Sequence, residues 1–432
     1  MTVGVSIAVA PRHHRALSEH RSLRTVLLFL LYVAQGLPLG LMMFALPAWL
    51  AQNGLPAGAI GGVVAMVTLP WTFKLAYGCV MDRYAFLAMG RRRPWIAVGQ
   101  VGLLVSFIAL AVANPAAQDV ALITVFAFAL GLWSAVQDVA VDGLAVDILP
   151  PEDIERVNGV LFAGQAIGIA AGTAVGGYLL AWHGLPAASL ALAGIIAAIL
   201  CLILLVRERP GERLLPWTGG AASPRNLDLH VGAFGPIIRT LFASLLTRQT
   251  LLLLPAFVGF AAAWGIFLGL APLFSAGQLG WEKATYSGWS SQAGLAAGLA
   301  AVLVFGPAAA RWGARRMACI AALLIAGVAL AMLSLQGQWG IPALFIGSIF
   351  AFNALRVLNL VCLGSLGMRL CRPEIAATQF AVFMAIANLG LALASASLGW
   401  LDSLGGITAM FAAMAVCGFI AAGFAFASKV GR

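Results

Sequence analysis

LPWTFKLAYGCVMDRYAFLAMGRRRPW, residues 69–95, begins as membrane sequence and then departs from it. Lys74 interrupts an apolar run, Asp82 and Arg83 follow, and Arg91, Arg92 and Arg93 stand together before the chain turns apolar again. A charge at mid-bilayer costs ~2.5–3.5 kcal/mol on insertion scales, so Lys74 is expected to face protein or water and not lipid. The arginine triplet is expected to hold a short loop on the cytoplasmic side.

The rest of the chain agrees with a lipid setting. Of 432 residues, 62% are hydrophobic and 9% charged, against roughly 25% charged in soluble domains. Windows of ~20 apolar residues, the length a bilayer span needs, fall near 25–51, 57–81, 94–113, 120–146, 158–181 and 187–206. Six more fall near 251–275, 286–308, 317–335, 341–368, 376–398 and 406–427. The expected class is an all-α membrane protein with twelve transmembrane helices in two pseudo-symmetric six-helix bundles. Residues 25–206 form the first bundle and 251–427 the second. A cytoplasmic linker spans 207–250, and cytoplasmic tails occupy 1–24 and 428–432.

Charge placement orients this chain. With the N-terminus inside, 22 of 25 Lys and Arg fall on cytoplasmic segments, leaving Lys283 outside and Lys74 and Arg356 within spans. The net charge of +10 follows from that bias and calls for no nucleic acid. Six cysteines lack paired spacing, and none of the five histidines lies in an apolar run, so no metal site or cofactor is expected. No intramembrane nucleophile with its base is evident, and an enzyme is not expected.

The halves read as copies. "ALPAWLAQNG" at 45–54 is echoed by "LAPLFSAGQLG" at 270–280, and "GCVMDRYAFLAMGRRR" from Gly78 by "GPAAARWGARR" from Gly306. Parallel six-span repeats with a site between them are a plan of secondary transporters. Gly78-x-x-x-Asp82-Arg83 with Gly90-Arg91-Arg92 resembles the signature between spans two and three of the major facilitator superfamily. The second copy keeps Gly306, Arg311, Gly313 and Arg315 but has Ala310 where the acid would stand. "QGLPLGL" (35–41), residues 69–95 and "QDVAVDGLAVDILPPED" (137–153) resemble one cluster within it: muropeptide permeases, acetyl-coenzyme A transporters and certain siderophore importers. Gln165 departs from the arginine that muropeptide permeases tend to carry near that place. The resemblance implies the major facilitator fold, a cavity lined by the first, fourth, seventh and tenth spans, and an Asp82 that caps the eleventh span. Asp82, Arg83, Arg91, Arg311 and Arg315 are then the expected conformational gate.

Four ionisable side chains lie within spans: Lys74, Asp138, Asp142 and Arg356. Lys74 and Asp138 sit at matching depth and are expected to meet, either bracing the bundle or with Asp138 as a proton-coupling carboxylate. Asp142, four residues on, shares the helical face and reads as a gate or brace. Asp147, Glu152, Asp153, Glu155 and Arg156 are expected to form a loop network against Arg83 or Arg91. Arg356 cannot shed its charge and is expected either to anchor a substrate anion or to bridge to Asp138 or Asp142. Gln35, Trp133 and Gln137 complete the expected substrate contacts, with core packing the alternative for Trp133.

Pro38 and Gly36 predict a kinked first span. Gly164, Gly168, Gly172 and Gly176 of the fifth span and Gly294 and Gly298 of the eighth are ridges for close packing; the resembled fold implies that these spans meet, giving the halves a smooth surface, with oligomer contact the alternative use. The amphipathic stretch 231–248 is expected on the inner membrane surface. The expected function is alternating-access transport of a small anionic amphiphile across the inner membrane, coupled to protons, by a monomer whose partners are substrate, protons and lipid. A transport-inactive assembly factor or sensor is the alternative.

Overall fold

The computed structural model describes residues 16–430, so the expected tails are covered only from residue 16 and up to residue 430. Regular structure there is helical apart from an isolated parallel bridge between Ala16 and Arg207. Among the described residues, eleven helices are long and apolar enough to cross a bilayer. The first four are Arg21–Gln52, Gly58–Arg83, Arg93–Ala113 and Val120–Ile148, followed by Ile154–Leu204. In the second half come Arg248–Leu279, Thr285–Trp312, Ala314–Ser334, Pro342–Leu370, Pro373–Ala396 and Leu398–Ala427.

Ile154–Leu204 holds two spans. At 1.5 Å per residue it would be about 75 Å long, against a hydrocarbon core of ~30 Å. It breaks at Gly184, whose φ of +80° disfavours any side chain, and at Pro186, which lacks the N–H to extend the ladder. Spans five and six are therefore residues 154–183 and 185–204. Gly406, at φ +60°, turns the chain again within Leu398–Ala427. The eleventh span thus continues past Ala396, and the twelfth follows that turn. Twelve spans result, as the apolar windows predict.

Proline bends several of them. In the first span, a π-helical turn over Leu41–Ala45 follows Pro38. In the second, a 3-10 stretch, Leu69–Phe73, contains Pro70 and delivers the chain directly into Lys74.

The glycine ridge of the fifth span lies elsewhere than expected. Gly164, Gly168 and Gly172 face the backbone carbonyls of Phe29, Val33 and Leu37 on the first span. Gly36 and Gly40 return the contact: a Cβ at Gly36 would stand 2.5 Å from the Gln165 carbonyl oxygen. The ridge knits two spans of the same half, because close backbone approach in lipid rests on dispersion between small residues. Of the eighth-span glycines, Gly298 would meet Ala166 and Gly294 has nothing within 4 Å. Where the halves do cross closely, the repeat glycines are responsible: Gly78 lies on Thr378, and Gly306 on Gly159 and the Glu155 and Arg156 carbonyls.

Those crossings lie at the end of the bundle that carries Arg91–Arg93, here the basic end. Among the described residues, the hydrogen bonds joining the halves are all at that end. Toward the other end the halves part, and Gly61 and Gly62 of the second span, like Gly288 of the eighth, meet no neighbour within 4 Å.

Candidate functional site

The first, second and fourth spans meet around a buried charge cluster. Asp138 accepts from Lys74 Nζ through one carboxylate oxygen and from Gln35 Nε2 through the other. Lys74 also lies 4.6 Å over the Trp71 ring. One turn further along the fourth span, Asp142 accepts from the Tyr32 hydroxyl of the first. Lys74, Asp138 and Asp142 are all at most 6% exposed, so each charge depends on these few partners and not on bulk water. Asp138 lies ten residues, about 15 Å of helix, from the end of its span at Ile148.

Gln137 and Trp133 point elsewhere. Gln137 is fully buried, accepting from Gln100 Nε2 of the third span at 2.7 Å and donating to the Leu31 carbonyl at 2.7 Å. The Trp133 ring lies against Gly102, which leaves it room on the third span. In this conformation both pack the first half, with their polar or aromatic groups already engaged.

Arg356 sits midway along the tenth span and is half-buried. Its guanidinium lies 4.7 Å from the centre of the Trp264 ring on the seventh span. Among the described residues it makes no ion pair, and the alternative of a bridge to Asp138 or Asp142 is not formed: those carboxylates hold Lys74 and Tyr32 instead. A ring face attracts a cation by its quadrupole without neutralising it. No described acidic side chain therefore neutralises this charge.

At the basic end, Asp82 is fully buried. Its Oδ2 accepts from the backbone N–H of Thr378 at 2.8 Å and from the Thr378 hydroxyl at 2.6 Å. This caps the eleventh span at its N-terminus, where a carboxylate also meets the positive end of the helix dipole. Its Oδ1 receives Arg92, and Arg91 at 3.3 Å. Both arginines reach Asp147 at the end of the fourth span, and Arg91 also donates to the Pro373 and Glu374 carbonyls across the seam. On the companion seam, Arg369 of the tenth span holds Glu155 of the fifth at 2.7 Å, and Asn158 donates to Ser365 at 3.0 Å.

The arginine triplet is not a solvated anchor: all three side chains are fully buried. Arg93 donates to the carbonyls of Ile203 and Leu204, satisfying groups that the end of the sixth span leaves without helical partners. Glu208 of the linker in turn accepts from the backbone N–H groups of Arg92 and Arg93 at 2.9 and 3.1 Å, capping the third span. Gly90, at φ +105°, is needed here, since a Cβ would stand 2.6 Å from that carboxylate.

Three expected gate residues lie outside this network. Arg83 rests 4.9 Å over the Tyr84 ring, away from the seam. Arg311 is exposed, and Arg315 donates to the Ser428 carbonyl at 3.2 Å. The second copy has Ala310 where the acid would stand, so that position offers Arg311 and Arg315 no carboxylate. The expected loop network forms in part: Asp147 reaches Arg91, whereas Asp153 pairs with Arg21 and Arg24, and Glu155 with Arg369. Sequence reading missed Tyr32, Gln100, Trp264, Thr378 and Arg369. Only Arg369 carried a signal, as a basic residue facing an acidic stretch on the same side.

Comparison with known proteins places this geometry in context. A profile of the Major Facilitator Superfamily matches residues 28–395. The anhydromuropeptide permease of Escherichia coli K12 is 28% identical over 397 residues, covering 87% of this chain and 74% of that protein. Among solved structures, the transporter FucP in the outward conformation superposes with a TM-score of 0.72 at 12% identity, over 95% of this chain and 100% of that one. The human organic anion transporter MFSD10 gives 0.67 at 17% identity, over 94% and 99%. At such identities the structures speak to the fold alone.

Proposed function

The chain belongs to the Major Facilitator Superfamily and is a multi-pass secondary transporter, and from that premise we propose that it moves an anionic amphiphile of the muropeptide kind across the inner membrane, coupled to protons. The basic end is the cytoplasmic one in this reading, by the bias of Lys and Arg toward it. With the halves joined there and parted at the other end, the structure corresponds to the state that receives solute from outside.

The observation that carries the reading is Arg356: a mid-membrane guanidinium, half-buried beside Trp264, with no acidic partner among the described residues. A planar fork recognises a carboxylate or phosphate bidentately, and an aromatic face suits the apolar body of an amphiphile. The name of the Escherichia coli relative supports a sugar–peptide carrying carboxylates. Asp138 supplies the proton site, because protonation releases Lys74 and so changes the contact between the second and fourth spans.

Purified protein in proteoliposomes tests this with labelled anhydromuropeptide under an imposed pH gradient. Uptake above equilibrium is expected. Arg356→Lys should raise KM at unchanged protein abundance, and Asp138→Asn should abolish uphill uptake while sparing exchange. Unchanged KM in the first would remove Arg356 from the site, and unchanged uphill uptake in the second would remove Asp138 from coupling.

A further inference from the structure

Arg83, absent from the gate, borders a different feature. Between the loop after the second span and the linker lies an open groove of roughly 390 Å³, lined by Arg83, Tyr84, Phe86, Trp95, Val98 and His230. Arg83 makes no ion pair among the described residues, in contrast to Arg91 and Arg92 close by. His230 forms part of the wall, and its ring nitrogen Nδ1 is buried and without a hydrogen-bond partner. Trp95 Nε1 donates to the Tyr84 carbonyl at 2.6 Å, so two of the walls are fixed to each other.

The groove does not end at Val98. Val101, Val105, Ile108 and Val112 continue from it along the third span, each exposed, at the three-to-four spacing of one helical face. Tyr84 and Phe86 are likewise exposed at the span's basic end, the level at which aromatic rings meet headgroups. A fixed positive charge, aromatic walls at the interface and an apolar track leading into the bilayer match three parts of one molecule. A soluble anion would use only the first.

We propose that this groove binds an anionic phospholipid. Its phosphate lies on Arg83 with His230 beside it, its headgroup lies between Tyr84 and Trp95, and one acyl chain follows Val98, Val101 and Val105. The site is on the outer face of the bundle and is separate from the transport pathway, so it stands whether or not the proposed substrate is right. Because Arg83 adjoins Asp82, a lipid held there also steadies the end of the second span, which carries the latch.

The full-length protein in phosphatidylcholine nanodiscs, titrated with phosphatidylglycerol and read by thermal unfolding and by native mass spectrometry, tests the proposal. Phosphatidylglycerol should bind and raise Tm. Arg83→Gln should weaken it about fivefold, the effect of one basic residue near the surface, with Arg83→Lys retaining most of the affinity and Val98→Asn losing it in part. Arg239→Gln, which removes an exposed arginine of the linker outside the groove, should change nothing. Wild-type binding by Arg83→Gln overturns the proposal, as does equal weakening by Arg239→Gln, which would mean diffuse attraction. Full competition by inorganic phosphate overturns it too, since the acyl track would then be idle. If Arg83→Gln does not yield folded protein, His230→Gln and Val98→Asn carry the same comparison.

Discussion

Asp82 and Thr378 come from opposite halves of the chain, yet one carboxylate oxygen of the first takes both the backbone N–H and the hydroxyl of the second. The same side chain neutralises Arg92 and Arg91 through its other oxygen. One buried acid thus joins the seam between the second and eleventh spans to the loop that follows the second.

Asp82→Asn should loosen the basic end. It leaves two fully buried guanidinium groups short of a counter-charge, a loss of ~3–5 kcal/mol for a broken buried pair. Distances between spin labels on the basic ends of the second and eleventh spans should broaden toward longer values. Thr378→Val, which removes only the hydroxyl bond, should do so mildly, by ~1 kcal/mol. An unchanged distance distribution in Asp82→Asn would deny the latch.

Lys74→Gln and Asp138→Asn should each destabilise the first half, again by ~3–5 kcal/mol, because either leaves an unpaired charge among apolar side chains. The double variant removes both charges and should recover most of the loss. Thermal unfolding of the four proteins gives the coupling directly. Additive losses would mean that the pair contributes nothing as a pair.

Glycine positions separate two kinds of packing. Gly168→Val should lower folded yield and Tm sharply, since even a Cβ there would stand 2.2 Å from the Val33 carbonyl oxygen. Gly294→Ala should be neutral within ~0.5 kcal/mol, having no atom within 4 Å to meet. Equal effects at both positions would contradict the observed pairing of the first and fifth spans.

The linker should weaken as pH rises. Burial, then the nearby Glu208 carboxylate, push Glu212 up from the ordinary glutamate range to about 8. An acid whose folded pKa is raised binds more protons folded than unfolded. Its contribution to stability is therefore full below the ordinary value and is lost as pH climbs through about 8. Glu212 accepts from Asn226 at 2.7 Å and from the Arg209 backbone at 2.9 Å, and Arg209 reaches the Asp147 carbonyl. Limited proteolysis of the linker should be faster at about pH 9 than at about pH 6, and Glu212→Gln should flatten the difference. A pH-independent wild type would sink this.

The spans could be read from sequence because a bilayer imposes one length on every apolar run, and even the turn at Gly184 falls between two such windows. Depth counting could bring Lys74 and Asp138 to one level because helical rise is constant. It could not supply Tyr32 as a companion on the first span, nor show that Gln35, read there as a substrate contact, is taken up by Asp138, since depth alone does not say which faces of two helices meet. The four-residue spacing of Gly164, Gly168 and Gly172 announced close packing without saying against what. The sequence puts Arg91 opposite the acidic stretch that contains Asp147, but gives no sign that all three arginines are buried, because Glu208 and the carbonyls ending the sixth span are distant in the chain. In the second copy the missing acid at Ala310 was visible, and the idle Arg311 follows from it.

That missing acid makes the two seams unequal. The seam at Asp82 is a dry lock, with both of its arginines sealed from water, whereas Arg369 opposite Glu155 is a quarter exposed and its bond is open to competition from solvent. Near the wetter seam, Gly159 and Gly306 let two helices cross almost backbone to backbone, a contact that can swivel without unpacking side chains. On the function proposed above, the basic end would part like a door, turning on the glycine crossing and releasing at the aspartate.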